Sequence, residues 1–190
     1  MFLRGREHES TIGQRFHAAR DGFTVRRVDG VVEVLIRSSA DRVVDLFLAL
    51  TEELPPAVSI AIDDVRTASR WTGTALALPD VSNALARLKL TLTTFAGAEI
   101  CIYSPDEQLT LTPSLELYVH SLSERWAFLL HGHGLMQRES IPRRSWRLPR
   151  GGFPPSSEAA EALRHAADRL GLIPTPSETP EGANASGPPS

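Results

Sequence analysis

The sequence predicts an α+β fold, in which a mainly antiparallel sheet carries two packed helices and an additional C-terminal helix. Residues 23–36 and 97–135 consist of short alternating apolar segments bounded by turn residues, which is typical of antiparallel strands. Two longer segments between them, and a third after residue 155, have the apolar spacing of amphipathic helices. We expect the sheet to contain an N-terminal hairpin and a C-terminal four-stranded meander.

The N-terminal hairpin covers residues 23–36 and has a defined turn. Its turn residues are Asp29 and Gly30, a pair that tolerates the positive φ angles of a two-residue hairpin turn. A turn at this position pairs Val25 with Val34 on one face of the hairpin. The turn chemistry therefore predicts both the presence of the hairpin and its register.

Two helices are predicted between the hairpin and the meander. The first begins at Ser38 or Ser39, whose hydroxyl groups suit the N-cap position, and ends before Pro55. The second begins at Asp80 and ends at Gly97, with apolar residues at helical spacing between them. Both helices have one apolar side, which we expect to cover the sheet.

A short apolar strand, residues 57–62, is predicted between the two helices. Asp63 and Asp64 follow it, and we interpret them as turn residues because adjacent acids in a strand point to opposite faces. The next residues, around Trp71 and Gly73, are predicted to form a polar loop.

The meander in residues 97–135 has a predicted register that makes one of its faces aliphatic. Turns near Pro105, Pro113 and Ser123 separate its four strands. The expected pairs are Ile102 with Leu109, Ile100 with Leu111, Leu111 with Leu115, Leu109 with Leu117, Leu117 with Leu129, and Val119 with Ala127.

The opposite face of the predicted meander carries aromatic side chains. The register places Tyr118 beside Phe128 and His120 beside Trp126, where a solvated sheet face is normally polar. Either a helix covers this face, for example the C-terminal one, or the four residues form a partner-binding surface.

An arginine-rich linker, residues 138–155, follows the meander. Its candidate partner-binding residues are Arg143, Arg144, Trp146 and Arg147, because guanidinium groups beside an indole bind phosphates, stack on bases or pair with acidic proteins. The alternative is a solvated linker.

The predicted domain organisation has five parts. A helix capped by Ser156 or Ser157 follows the linker, and the last residues contain no large apolar side chain beyond Ile173. The parts are a polar N-terminal arm (1–22), a single α+β domain (23–137), the linker (138–155), a C-terminal helix (156–172) and a disordered tail (173–190).

Composition limits the class of function. The chain has 190 residues, 23% of them charged, and a net charge of −3, so no overall positive field favours nucleic acid or an anionic membrane. Cys101 is its single cysteine, which excludes an internal disulfide and favours a reducing compartment. The N-terminal arm becomes charged before an apolar signal region can form, and no apolar run is long enough to cross a bilayer. A cytoplasmic location is expected.

Searches for catalytic and metal-binding motifs are negative. The sequence has no glycine-rich phosphate loop, no nucleophile elbow and no metalloprotease helix motif. His131 and His133 form a closely spaced pair, but the expected register places His120 about 16 Å from His131. No metal site, cofactor or catalytic residue is therefore predicted.

The features favour a non-enzymatic protein-interaction module, of the immunity-protein, secretion-chaperone or assembly-adaptor type. Its partner is expected to be a protein, and the sequence leaves homo-oligomers open. The first alternative is a small-molecule or nucleotide-handling enzyme, with or without a metal, that uses Asp63, Asp64, His131 and His133. The second is a weak binder of single-stranded nucleic acid that uses the linker arginines.

Overall fold

The computed structural model describes residues 21–141 and 152–175. Eight strands form one antiparallel sheet in the order β1-β2-β7-β6-β5-β3-β4-β8. The strands are β1 (Gly22–Val28), β2 (Val31–Arg37), β3 (Ala57–Asp64), β4 (Ser69–Ala77), β5 (Ala98–Tyr103), β6 (Glu107–Leu111), β7 (Leu117–Ser121) and β8 (Ile173–Thr175). The helices are α1 (Ala40–Thr51), α2 (Leu78–Phe95), α3 (Arg125–Gly132) and α4 (Ser157–Arg169). The predicted α+β class with an antiparallel sheet is confirmed.

The N-terminal hairpin has the predicted turn and register. Asp29 and Gly30 have φ angles of 52° and 83°, the combination that a two-residue turn of type I′ requires. Val25 pairs with Val34, as expected from that turn. Local turn chemistry is therefore sufficient to set the pairing of β1 with β2.

The meander has the predicted pairing between its first two strands but not between the second and third. Ile102 pairs with Leu109 as expected, whereas Leu109 pairs with Val119 instead of Leu117. The loop between β6 and β7 is longer than predicted. The Thr112 hydroxyl closes it by accepting a hydrogen bond from the Glu116 amide at 3.0 Å. The shift is two residues, so the same side chains stay on the aliphatic face.

The fourth predicted strand of the meander is wrong, because residues 125–132 form helix α3. The edge of β7 that this strand would have occupied is taken by β2, which pairs Val34 with Val119. The predicted pairs of Leu117 with Leu129 and of Val119 with Ala127 therefore do not form. Helical spacing instead buries Trp126 and Leu130 together against the core.

The predicted polar loop around Trp71 and Gly73 is also wrong. These residues lie in strand β4, where Trp71 pairs with Ile62 and packs against the hydrophobic core. The sequence of β4 resembles a polar loop because the outward face of the strand carries threonine and arginine side chains.

The helices α1, α2 and α4 lie where the sequence predicts them. The Ser156 hydroxyl caps α4 by accepting a hydrogen bond from the Ala159 amide at 3.2 Å. Residues 173–175, expected to be disordered, form strand β8 instead and pair with β4. The rest of the predicted tail, residues 176–190, lies outside the described residues.

All four helices pack on one face of the sheet. Their buried side chains belong to a single core cluster with the aliphatic side chains of that face, such as Ile60, Ile100 and Leu117. Leu35 and Tyr118, which point to the other side, do not join this cluster. Of the two alternatives for the aromatic face, cover by one of these helices, the C-terminal one included, is therefore excluded. We call the opposite side the helix-free face, with reference to residues 21–141 and 152–175.

None of the helices in the described part of the chain is both long enough and apolar enough to cross a bilayer.

The turn of the hairpin provides a test of the register. We expect Gly30→Ala to lower the free energy of unfolding by about 1–2 kcal/mol, because a side chain is disfavoured at positive φ. No atom lies within 4 Å of an added Cβ at Gly30, so this loss would come from the backbone alone. Gly132→Ala is the matched control, since it has equal space without a positive φ. Urea unfolding of both variants checks the prediction, and equal stabilities would contradict it.

Candidate functional site

The helix-free face has a row of uncharged side chains that crosses all eight strands. Each member is the direct cross-strand partner of the next, and the row includes aliphatic, aromatic and hydroxyl side chains. We call it the central stripe, and its members are Thr24, Leu35, Tyr118, Thr110, Cys101, Ala61, Thr72 and Ile173. An uncharged strip of this kind is a typical core of a binding surface.

Charged side chains lie on both sides of the central stripe. One flanking row contains Arg37, Glu116, Glu99, Asp63 and Arg70. The other flanking row contains Arg26, Glu33, His120, Gln108, Tyr103 and Ser59. The helix-free face therefore combines an uncharged centre with a polar rim, the arrangement found in protein interfaces.

Tyr118 and His120 lie on the face that the sequence assigns to them. Their rings are nearly parallel, with an interplanar angle of 6° and centroids 6.3 Å apart. The imidazole Nε2 is 3.4 Å from a carboxylate oxygen of Glu33, and its Nδ1 atom is buried with no hydrogen-bond partner among the described residues. Two neighbouring strands thus hold the aromatic pair in position.

Trp126 and Phe128 do not belong to this face, so the predicted cluster of four is wrong. Trp126 is 0% exposed, and its indole N–H donates to a Glu107 carboxylate oxygen at 3.1 Å. The Arg125 guanidinium lies 4.8 Å from the indole and also donates to Glu107. Phe128 points away from the core on α3 and is 79% exposed. Helical geometry thus separates two side chains that a strand would have placed on one face.

The buried Trp126 and the exposed Phe128 predict very different losses of stability when each side chain is truncated to alanine. We expect Trp126→Ala to cost about 3–5 kcal/mol of unfolding free energy, because it leaves a large cavity in the core. Phe128→Ala should change it by less than about 0.5 kcal/mol, since the side chain is exposed. Thermal and urea unfolding distinguish the two variants, and similar losses would contradict the assignment of α3.

Asp63 and Glu99 form a pair of like charges next to the central stripe. They are direct partners across β3 and β5, and the nearest cation is Arg70, whose Nε is 3.6 Å from Asp63. Burial and the neighbouring Asp63 raise the pKa of Glu99, while burial raises the pKa of Asp63 despite the cation. Burial also raises the pKa of the Cys101 thiol, which lies in the stripe beside them. The ionised pair opposes folding at neutral pH.

This like-charge pair predicts a stabilising substitution. A carboxyl group with a raised pKa favours the fold at low pH and loses that contribution as the pH rises. Glu99→Gln should therefore raise the stability at pH 7 by about 0.5 kcal/mol. The gain should disappear as the pH falls below 4.5, the ordinary pKa of a glutamate. Melting curves across this pH range check the prediction, with the exposed Glu161→Gln as control. A gain that is independent of pH would contradict it.

Asp64 has a structural role on the other side of β3. Its carboxylate is buried and accepts hydrogen bonds from the Arg66 amide at 3.1 Å and from the Arg66 guanidinium at 3.3 Å. The same guanidinium donates to the carbonyls of Phe95 and Ala96 at the end of α2. Asp63 and Asp64 thus point to opposite faces, as strand geometry predicts.

The residues of the enzyme alternative are not brought together. His131 packs against Phe23 of β1, with ring centroids 5.1 Å apart, while Asp63 and Asp64 lie in β3. Five strand spacings separate β1 from β3, which amounts to about 24 Å. Within the described ranges, no three histidine, cysteine or acidic side chains are placed to hold a metal ion.

Four candidate residues lie in the linker, and three neighbours of Tyr118 are not indicated by the sequence. Arg143, Arg144, Trp146 and Arg147 lie outside the described residues. Leu35, Cys101 and Tyr103 share the helix-free face with Tyr118, although the sequence does not single them out for binding. Alternation along each strand indicates which face they occupy, but only the strand order shows that they are neighbours.

Comparisons with protein-family models, with curated proteins and with solved structures found no match to this chain.

Proposed function

We propose that this chain is a non-enzymatic protein-binding module whose binding surface is the helix-free face. The observation that carries the proposal is the central stripe, in which Leu35, Tyr118 and Cys101 stay outside the hydrophobic core. Thr24 and Ala61 of the stripe are buried, whereas Leu35, Cys101 and Thr72 are partly exposed and Ile173 is exposed. An uncharged row of this length on a sheet face that carries no helix favours an interaction surface. A protein that covers it would bury the stripe and pair with the rim.

Tyr118 is the expected anchor of this interface. A tyrosine buries a large area at a small cost in side-chain entropy, and its hydroxyl group stays able to form hydrogen bonds. The parallel ring of His120 supports it from β7, and Leu35 flanks it from β2. A ring held in this way loses little freedom on binding, which favours affinity.

A protein partner fits this face better than a nucleic acid does. Glu33, Asp63 and Glu99 lie in the rows beside the stripe, and their charges repel a phosphate backbone. The nucleic-acid alternative depends on the linker arginines and stays a prediction. The enzyme alternative has less support, because its four residues do not share a site.

The role within the cell is part of the same proposal. A binding surface without catalytic groups suits a toxin-neutralising immunity protein, a secretion chaperone or an assembly adaptor. A cytoplasmic location is proposed on the basis of the single cysteine, Cys101.

The test compares full-length baits that differ in one aromatic ring. A protein captured by the tagged wild-type chain is identified, purified and titrated against wild type and Tyr118→Thr, which removes the ring but keeps a strand-forming residue. We expect the affinity to fall about 30-fold, the loss of a typical aromatic anchor. Phe128→Ala, which removes an exposed ring on the opposite side, should bind like wild type.

The same titration can refute the proposal that the helix-free face is the binding surface. If Phe128→Ala loses binding and Tyr118→Thr does not, the partner binds α3 and the proposal is wrong. Melting temperatures of both variants accompany the titration, so that a loss of fold is not mistaken for a loss of binding.

A further inference from the structure

Strand β1 is the first strand of the sheet, so one of its edges faces away from β2. We propose that residues 24–28 bind an extended acidic segment of a partner protein, which adds a strand to the sheet at this outer edge. The edge is distinct from the helix-free face, so the inference does not depend on the proposed function. Three observations support it: the backbone groups that point outward, a segment that already pairs with the same edge, and the charges of β1.

The backbone groups on the outer edge of β1 alternate with those that bond to β2. The Phe23 N–H donates to the Met136 carbonyl at 3.1 Å, and the Phe23 carbonyl accepts from the Arg138 amide at 2.8 Å. Strand alternation directs the N–H and C=O groups of Val25 and Arg27 to the same outer edge. These groups have no hydrogen-bond partner among the described residues. Two donors and two acceptors are thus spaced to pair with an added strand.

Residues 136–138 show that this edge accepts a further strand. Gln137 forms a parallel bridge with Phe23. The chain then leaves the edge for the helix-free side, where the Ile141 carbonyl accepts a hydrogen bond from the Arg37 guanidinium. Beyond Phe23 the exposure of β1 rises along the strand, and Val28 is 57% exposed. An added strand can therefore continue along the edge where residues 136–138 leave it.

The exposed end of β1 carries two adjacent arginines. Arg26 is exposed and lies opposite Glu33, whose carboxylate is 3.4 Å from the imidazole of His120, and Arg26 forms no ion pair within the described ranges. Arg27 pairs with Glu124, but the two side chains are 68% and 61% exposed, so this ion pair contributes little. Because adjacent strand residues point to opposite faces, an added strand meets one arginine on each face. Two adjacent acidic residues match this arrangement.

A second copy of the chain fits this edge less well than an acidic partner does. A two-fold axis at Arg26 or at Arg27 would place that arginine opposite its own copy, and like charges in this position are destabilising. An axis at Val25 would bring Arg27 of the copy to Phe23, where residues 136–138 already pair. The two arginines thus oppose self-pairing and favour acidic side chains.

The other edge of the sheet is less suited to strand addition. Strand β8 has three residues, and its central residue, Pro174, has no N–H to donate. A short strand that contains proline is a common way to protect a sheet edge. Strand β1 has seven residues and no proline.

Hydrogen exchange of the isotope-labelled full-length chain, measured by nuclear magnetic resonance, tests the state of this edge. In the isolated protein we expect the Val25 and Arg27 amides to exchange about 100 times faster than the Arg26 amide, which lies in the ladder with β2. Slow exchange at both outward amides would show that another segment of this chain or a second copy already pairs with them. That result would overturn the proposal.

The binding probe is the blocked peptide Thr-Val-Glu-Glu-Val-Thr, which reads the same in both directions and therefore fits either strand orientation. Its β-branched residues favour an extended chain, and its two glutamates suit Arg26 and Arg27. We expect the peptide to slow the exchange of the Val25 and Arg27 amides. The analogue with two glutamines should bind about fivefold more weakly, because two exposed ion pairs are lost. No binding of the glutamate peptide, or equal affinities of the two peptides, would overturn the proposal.

Two substitutions at Arg27 separate the backbone contribution from the charge. Arg27→Thr keeps the outward N–H and should weaken binding of the glutamate peptide about twofold, the loss of one exposed ion pair. Arg27→Pro also removes the N–H, which does not bond to β2, and should weaken binding about tenfold. Equal affinities of the two variants would show that the peptide does not pair with β1, and the proposal would be wrong.

Two further measurements complete the test. Melting temperatures show whether both variants keep the fold, and if Arg27→Pro unfolds, the exchange of the wild-type Val25 and Arg27 amides with and without the peptide decides the outcome. Chemical-shift changes confined to Leu35 and Tyr118 would place the peptide on the helix-free face. That result would overturn the edge site and leave the proposed function standing.

Discussion

The fold depends on one constraint: alternation along eight paired strands collects the aliphatic side chains on one side of the sheet. Cross-strand pairing aligns Ile62, Ile100, Leu111 and Leu117 into a continuous row, and all four helices bury their apolar sides against such rows. Because the helices lie on one side, the opposite row of side chains stays outside the core. The position of Tyr118 follows from this constraint, because it precedes the buried Val119 and must point the other way.

Much of this fold could be predicted because its signals are local. The hairpin depends on Asp29-Gly30, and the pairing of β5 with β6 depends on a short turn. The predictions are wrong where the structure of a segment depends on contacts with residues far away in the sequence. Residues 125–132 contain apolar side chains that fit either a strand or a helix, and the strand is excluded because β2 occupies the edge of β7. In β4, Trp71 is partly buried by packing on the core, which no neighbouring residue indicates.

The candidate site also combines features that local sequence predicts with features that depend on distant residues. The sequence is sufficient to assign Tyr118 and His120 to their face, because strand alternation is a property of five consecutive residues. Trp126 does not lie beside them, because residues 125–132 form a helix and not the expected strand. The central stripe could not be predicted, since it needs the order of all eight strands, with β2 next to β7 and β3 next to β5. A surface assembled from distant segments becomes visible only in the folded chain.

The central claim is that the helix-free face is where this protein meets its partner. The most direct test is nuclear magnetic resonance of the isotope-labelled chain during titration with the captured protein, with the chemical-shift changes mapped residue by residue. The account predicts that the largest changes lie in the central stripe, at Leu35, Tyr118, Thr110 and Cys101, and in the charged rows beside it. Large changes confined to the outer sides of α1 to α4, with the stripe unchanged, would contradict it.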